Sequence, residues 1–460
     1  MNLAQTLTKN SDNRAVSDGG DIYSHEQLLT SSLKLTSGLI DDLDVKPGQR
    51  IALIANNSIE FLIAYLAVLS AGAIVIPLDP NEGESDRARE ISLIKPHLII
   101  ASSKDWIPET YRDAIPSLEF HSRSWRSYLK KKPSKIIERE PNDVAVMMMT
   151  SGANFQPRPA MLTHGSMVAN LNQAMSVDEL KLKTSDVVLA ALPMYHIFGL
   201  QVVVGLALAS GASIVIARTF DPIEIANTVK SNEVTIVPAV PVLFDAFIRI
   251  PTITIDSFSG VRLFVSGGAP MRSEVREKFH DRFGFHVAEG YGLTEASPMV
   301  SFTANASREG EIGTPLPGVE VEIRDSDGAV ALDGDVGQIV VRGVNIFAGY
   351  FKEKEATSRV LDSNGWLFTG DIGVRSEDGT ITLIDRSSDV IVVSGFSVFP
   401  SEVENVLIEH ERVEQASVVG ELDEKSGEIV IAYVAIDSDK EEIEDPRFRR
   451  QIEKELRDFC

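Results

Sequence analysis

The chain holds a single cysteine, Cys460, at its last position. One thiol excludes an internal disulfide framework and any cysteine-ligated metal site. Basic residues are also scarce: 44 Lys and Arg stand against 67 Asp and Glu, a formal net charge of −23. That balance argues against nucleic acid or anionic membrane as a partner, because both reward a positive surface. It leaves room for small anionic ligands, since a local cradle can be positive within an acidic protein. The opening stretch MNLAQTLTKNSDNR lacks the apolar core of a signal peptide, and the cytoplasm is the expected compartment. Internal repeats and low-complexity tracts are missing too. Uncharged runs at 61–78 and 187–217 are long enough to span a bilayer, but each is broken internally. Gly72 and Pro77 interrupt the first; Pro193, Gly199, Gly205 and Gly211 interrupt the second. Both read as a buried helix feeding a buried β-branched strand, with no transmembrane segment.

What is present is the composition of a folded globular protein, 43% hydrophobic and 24% charged over 460 residues, enough for two or three domains. Strand-like apolar runs fall at 51–54, 73–76, 98–100, 144–149, 187–192, 213–216, 234–237 and 263–265, separated by helix-length segments. One of these helices opens with Asp221-Pro222, a cap followed by a first-turn proline. Such alternation predicts parallel sheets covered by helices, with ligands at the carboxyl ends of the strands. After about residue 310 the strands become short and alternating, with Asp-Gly turns at 327–328, 333–334 and 378–379. Beyond residue 389 the pattern is α+β, with a helix at 401–409 that a Ser401/Glu404 capping box would open. The expected architecture is α/β. A large N-terminal domain, 1–385, holds two parallel helix-flanked sheets and a small β subdomain at about 310–385. A small, truncated α+β C-terminal domain follows at 386–460.

Several constellations could carry chemistry. Thr150-Ser151-Gly152 follows a buried strand and offers hydroxyls and freely turned amides, the groups that wrap a phosphate. Pro157 and Pro159 then remove amides from the second half, leaving Arg158 to supply charge; an ordinary surface turn fits that stretch equally well. In Glu289-Gly-Tyr-Gly-Leu-Thr-Glu295 the Tyr291 ring can stack on a base, Thr294 can bond a phosphate and Glu295 can hold Mg²⁺, unless the Glu is merely solvated. Ser266-Gly-Gly-Ala-Pro270 ends a strand and starts a helix, where backbone amides face a ligand. Asp371, in Thr369-Gly370-Asp371, suits ribose hydroxyls, though a plain turn explains the tripeptide by itself. His196 lies in an apolar context and reads as structural unless an apolar substrate binds nearby.

In this order and spacing the segments resemble the adenylate-forming superfamily of acyl-CoA synthetases, 4-coumarate-CoA ligase-like enzymes, luciferases and peptide-synthetase adenylation domains. The likeness runs through TSG…P-R at 150–158, LPMYHIFG at 192–199, SGGAP at 266–270, EGYGLTE at 289–295, GTPLPG at 313–318, GWLFTGD at 365–371 and DRSSDVIVVSGFSVFPSEVE at 385–404. Its wording is nearest to fatty-acid and aryl CoA ligases. The resemblance implies an AMP-forming ligase that uses ATP, Mg²⁺ and coenzyme A on an apolar carboxylic acid, fatty or aryl. It implies Thr150, Ser151 and Gly152 at the β/γ-phosphates, Thr294 at the α-phosphate and Glu295 on the metal. Gly268, Ala269, Gly290 and Tyr291 would line the adenine site, and Asp371 and Arg386 would grip the ribose. His196 would sit by the acyl pocket and Gly395 by the pantetheine tunnel, and Val240, Val242 and Ser266 are further candidates for the acyl pocket. A homodimer is compatible with the family.

Three departures stand out. The usual second half of the phosphate loop, Thr-Thr-Gly followed by Lys-Gly, is replaced by Ala153-Asn154-Phe155 and Arg158-Pro159. The hinge position that usually carries Lys or Asp is Ser388. No glycine-lysine motif precedes Cys460. Impaired adenylation is the expectation from these changes, and a non-catalytic nucleotide- or acyl-binding relative is the alternative.

Overall fold

The apolar runs of the first half become strands, and several of them are buried from end to end. Ser213–Ile216, Val187–Ala190, Ile236–Ala239 and Leu98–Ala101 are buried at every position, as strands covered on both faces must be. The computed structural model describes residues 1–151, 157–386, 390–393, 396–410, 412–423, 427–436 and 446–459. The chain divides into two compact units, Met1–Val321 with Val341–Leu367, and Glu322–Val340 with Phe368–Cys460.

The first unit contains a six-stranded sheet in the order Ser117–Glu119, Leu98–Ala101, Arg50–Ile54, Ile74–Leu78, Val144–Ser151, Pro157–Thr163. Its first five strands run parallel; the sixth is antiparallel to the fifth. A second sheet runs parallel from Arg14–Asp18 through Ser213–Ile216, Val187–Ala190, Ile236–Ala239 and Leu263–Gly267 to Val287–Gly292. Antiparallel strands flank it: Asp21–Ser24 on one side, Met299–Thr303 and Glu311–Pro315 on the other. The N-terminal hairpin and these flanking strands carried no sequence expectation.

The two long uncharged runs resolve as expected into helix and strand. Helix Ile59–Ser70 is buried around nearly its whole circumference and feeds Ile74–Leu78. The second run passes from Val187–Ala190 through a wide π-helical turn, Phe198–Gly205, and helix Leu206–Ser210 into Ser213–Ile216. Among the described residues no helix is long and apolar enough to cross a membrane. Helix Pro222–Ser231 is capped by Asp221, whose carboxylate accepts from the amides of Ile223 and Glu224 at 2.9 Å. Beneath the second sheet lies an aromatic cluster in which Phe258 and Phe264 meet edge-on at 5.4 Å and Phe279 and Phe283 lie 5.0 Å apart. This packing holds rigid the strand that ends in Gly267.

In the second unit Leu367–Arg375 pairs antiparallel with Ile381–Arg386. A four-stranded antiparallel sheet comes next, Phe396–Val398, Ile391–Val393, Gly427–Ile436, Val413–Asp423, packed on helices Pro400–Ile408 and Pro446–Phe459 through Ile391, Leu407, Val418, Ile452 and Leu456. The capping box expected from Ser401 and Glu404 does not form. Pro400 takes the first helical position, so the helix starts one residue earlier and Phe399 occupies the cap without a side-chain bond. Ser401 instead donates its hydroxyl to the carbonyl of Ile384 at 3.0 Å, and Glu404 accepts the amide of Val418 at 2.8 Å.

Candidate active site

The Thr150 segment is one arm of a hairpin. Thr150 lies opposite Arg158 and Ser151 opposite Pro157, and the Thr150 hydroxyl donates to the Arg158 carbonyl at 3.2 Å. Gly152 and residues 153–156 lie outside the described residues, and of Ser151 only the backbone is described. The two prolines, expected to break a backbone cradle or to lie in a surface turn, are built into an edge strand. Met161, two residues beyond Pro159, points its amide away from the hairpin to the carbonyl of Gly349 at 2.9 Å. By the alternation of a strand, Pro157 and Pro159 place their amide-less nitrogens on that same outer side, so no bond to the neighbouring strand is lost. The Pro159 carbonyl still accepts from Phe351 at 2.8 Å. Arg158, expected to supply positive charge, has its Nε 3.2 Å from Glu353 Oε2 and its guanidinium carbon 5.7 Å from the centre of the Tyr350 ring.

EGYGLTE straddles the end of strand Val287–Gly292 and the short 3-10 turn Thr294–Ala296. Gly292 is required by close approach, because a Cβ there would stand 2.2 Å from the Pro298 carbonyl oxygen. Glu289 is buried and salt-bridged to buried Arg276, yet desolvation outweighs that cation and raises its pKa. Tyr291 is buried, and Gly290 has open space where a side chain would be. Glu295 is half-buried. Its carbonyl accepts the Phe347 amide at 2.8 Å, and its Oε1 accepts the Tyr350 phenol at 2.6 Å. Burial, then the Glu295 charge, raises the Tyr350 pKa, so the phenol stays protonated and donates. Buried Asn345 secures the same turn by donating to the Ala296 carbonyl at 2.8 Å.

The SGGAP segment leaves its strand at Gly267. The following helix, Ser273–Phe283, begins beyond Pro270, so 268–272 form a connection, exposed at 268–270 and anchored by buried Met271, where a helix start was expected. Gly268 adopts φ +83°, a left-handed backbone that favours glycine, and Ala269 beside it is exposed. Ser266 is fully buried, and its hydroxyl lacks a hydrogen-bond partner among the described residues. Val242, an acyl-pocket candidate, is 63% exposed. His196 follows a loop pinned by Asn57, which donates to the Leu192 carbonyl at 2.8 Å and accepts the Met194 amide at 2.7 Å. The imidazole edge reaches solvent, while the protein around it lowers its pKa by desolvation and favours the neutral ring. Its Nδ1 accepts from the Phe198 amide at 3.3 Å.

In the second unit Asp371 and Arg386 are register partners, with Arg386 Nε 3.4 Å from Asp371 Oδ1. Asp371 is buried and Arg386 exposed. Thr369-Gly370-Asp371 lies within the strand rather than in a turn, and Thr369 braces it, donating to the Ile339 carbonyl at 2.8 Å and accepting the Asp371 amide at 3.0 Å. Gly395 and Ser388 lie outside the described residues.

A family model described as AMP-binding enzyme matches residues 3–351, and one for the C-terminal domain of the same enzymes matches 402–460. The chain belongs to the AMP-binding enzyme family. Within that family it is 32% identical to a long-chain-fatty-acid–CoA ligase of Yersinia pestis, over 90% of this chain and 81% of the relative. It is 30% identical to the 4-coumarate–CoA ligase CCL1 of Humulus lupulus, over 95% of this chain and 84% of the relative. The solved structure of ATP-bound MatB from Rhodopseudomonas palustris superposes with a TM-score of 0.88 at 27% identity, covering 95% of this chain and 89% of that one.

Within this enzyme family's fold, sequence reasoning missed Tyr350, Glu353, Asn345 and the Arg276 partner of Glu289. Tyr350 lies 55 residues beyond Glu295 in the chain, and no local periodicity links the two. The available signal was the run Asn345-Ile-Phe-Ala-Gly-Tyr350, in which polar and aromatic residues come after a buried strand and flank a glycine at φ +107°.

Proposed function

We propose that this chain activates an apolar carboxylic acid, fatty or aryl, with ATP and passes the acyl group to coenzyme A. In the first half-reaction a carboxylate oxygen attacks the α-phosphorus and pyrophosphate leaves. In the second, the sulfur of the thiolate attacks the acyl carbon and AMP leaves. The observation that carries this reading is the Thr294–Ala296 turn, where a carboxylate held by a phenol stands next to a hydroxyl-bearing residue at a strand end, near an open glycine edge. Thr150, Ser151 and Gly152 would face the β/γ-phosphates and Thr294 the α-phosphate. Gly268, Ala269, Gly290 and Tyr291 would line the adenine, Asp371 and Arg386 would hold the ribose, and neutral His196 would border the acyl group.

The donor set fits Mg²⁺. One hard carboxylate, with no cluster of three or more His, Cys, Asp or Glu among the described residues, suits an ion that keeps phosphate and water oxygens. Glu295 would hold it, and the ion would neutralise charge gathering on the phosphates. Arg158 shares its charge with Glu353, and the loop lacks the usual hydroxyls at 153–155, so the reading includes a slow adenylation step. ATP–pyrophosphate exchange with a panel of fatty and aryl acids tests it. Acid-dependent exchange is expected, below the rate of an ordinary family ligase; no acid-dependent exchange with any member would overturn the reading.

A further inference from the structure

The segment 345–351 is tied on two sides. On one side it runs along the outer edge of the phosphate hairpin, with Met161 donating to Gly349 at 2.9 Å, Ala348 donating to Met161 at 2.9 Å and Phe351 donating to Pro159 at 2.8 Å. On the other it grips the acidic turn, through Asn345 to Ala296, Phe347 to the Glu295 carbonyl, and Tyr350 to the Glu295 carboxylate. Of the side-chain bonds in this segment, the one from Tyr350 reaches a group that the proposed reaction needs. The Tyr350 ring packs edge-on against Phe347 at 5.0 Å and takes the Arg158 guanidinium on a face, so its hydroxyl has little freedom to swing away.

We propose that Tyr350 is a positioning residue that fixes Glu295 by a neutral hydrogen bond to Oε1 and so presents Oε2 to Mg²⁺ in one orientation. The proposal rests on the reading that this site binds Mg-ATP. A phenol suits the task better than a cation. It orients the carboxylate without cancelling the charge that attracts the metal, whereas Lys or Arg in its place would compete with the ion. The segment's two-sided attachment adds a consequence: the hairpin that carries Thr150 and the turn that carries Glu295 are set at a fixed spacing by one stretch of backbone.

Isothermal titration of ATP, with and without Mg²⁺, tests this on the wild-type chain, Tyr350→Phe, Glu295→Gln and the double variant. Tyr350→Phe is expected to weaken the Mg²⁺-dependent part of ATP binding about tenfold, the lower end of the loss seen when a metal ligand's own hydrogen-bond partner is removed. Binding without Mg²⁺ should be unchanged, and the substitution should add nothing in the Glu295→Gln background. An unchanged Mg²⁺ dependence, or an equal loss in the Glu295→Gln background, overturns the proposal, because a purely structural tyrosine would act regardless of the carboxylate. Wild-type protein that binds no Mg-ATP overturns the underlying reading instead. A second variant covers a Tyr350→Phe chain that fails to fold: Tyr350→Leu also removes the donor and should likewise weaken only the Mg²⁺-dependent part of ATP binding, and an unchanged Mg²⁺ dependence would sink the pairing.

Discussion

Glu295 in the first unit and Asp371 in the second are the two carboxylates proposed to face the nucleotide, and they are held differently. Glu295 is half-buried and takes an uncharged donor, the Tyr350 phenol, at 2.6 Å. Asp371 is buried and faces a cation, Arg386, at 3.4 Å, with the guanidinium largely in water. A neutral donor orients a carboxylate and leaves its charge intact, which suits a partner that must attract a divalent ion. A loosely held cation cancels part of the charge, which suits a partner meant for uncharged sugar hydroxyls. A third carboxylate, Glu90, has neither device complete. It is buried beside Glu82 and Asp79, and neighbouring Arg87 spends its Nη1 on the carbonyls of Asp79, Pro80 and Glu82. Desolvation first, then the Glu82 charge, push the Glu90 pKa up to about 8.

The comparison can be broken at each station, and the largest effect belongs to Glu295. Glu295→Gln keeps the shape and loses the charge, and acid-dependent ATP–pyrophosphate exchange should fall by about 100-fold or more. A fall below about threefold would mean that the intact charge is not what the phenol preserves.

Glu90→Gln comes next and is read as stability. Glu90 has its folded pKa raised from 4.5 to about 8, so below pH 4 both folded and unfolded chains are protonated and the group contributes nothing. Between those values the unfolded chain ionises first and stability falls as pH rises. The substitution should therefore stabilise the protein at pH 8, by up to about 4 kcal/mol in denaturant titration, with the gain vanishing near pH 4. A gain independent of pH would show that charge is not the cause.

Asp371→Ala should raise the KM for ATP about tenfold while changing kcat less, as expected for a binding contact made equally in ground and transition states. A kcat effect as large as that of Glu295→Gln would erase the distinction between the two carboxylates. Arg386→Ala should be the mildest change: an exposed pair of this length contributes at most about 0.5 kcal/mol to folding, so the melting temperature should hardly move. A large drop would show that the pair is structural.

The parallel strands were legible in the sequence because burial on both faces demands unbroken runs of Val, Ile, Leu and Ala, as in Ser213–Ile216. The motifs proposed to hold the nucleotide stood out because glycine and hydroxyl residues at fixed spacing leave a local mark. Strand Pro157–Thr163 was not, since its prolines look like turn signals until the missing amides are known to face outward. The Ser401 capping box failed for a similar reason, with Pro400 a better first helical residue than the motif allowed for. The Tyr350–Glu295 bond joins a loop to a turn 55 residues earlier, and the Arg276–Glu289 pair joins a helix to the strand that follows it; both depend on tertiary packing, which hydrophobic periodicity does not record.

The proline-bearing edge has a further consequence, for solubility. An edge strand with a full row of outward amides is a template on which another chain can add a strand. Here the row is interrupted at Pro157 and Pro159 and occupied at Met161 by Gly349. On this side the sheet thus ends in a border that offers few outward amides, which disfavours addition of another chain's strand there.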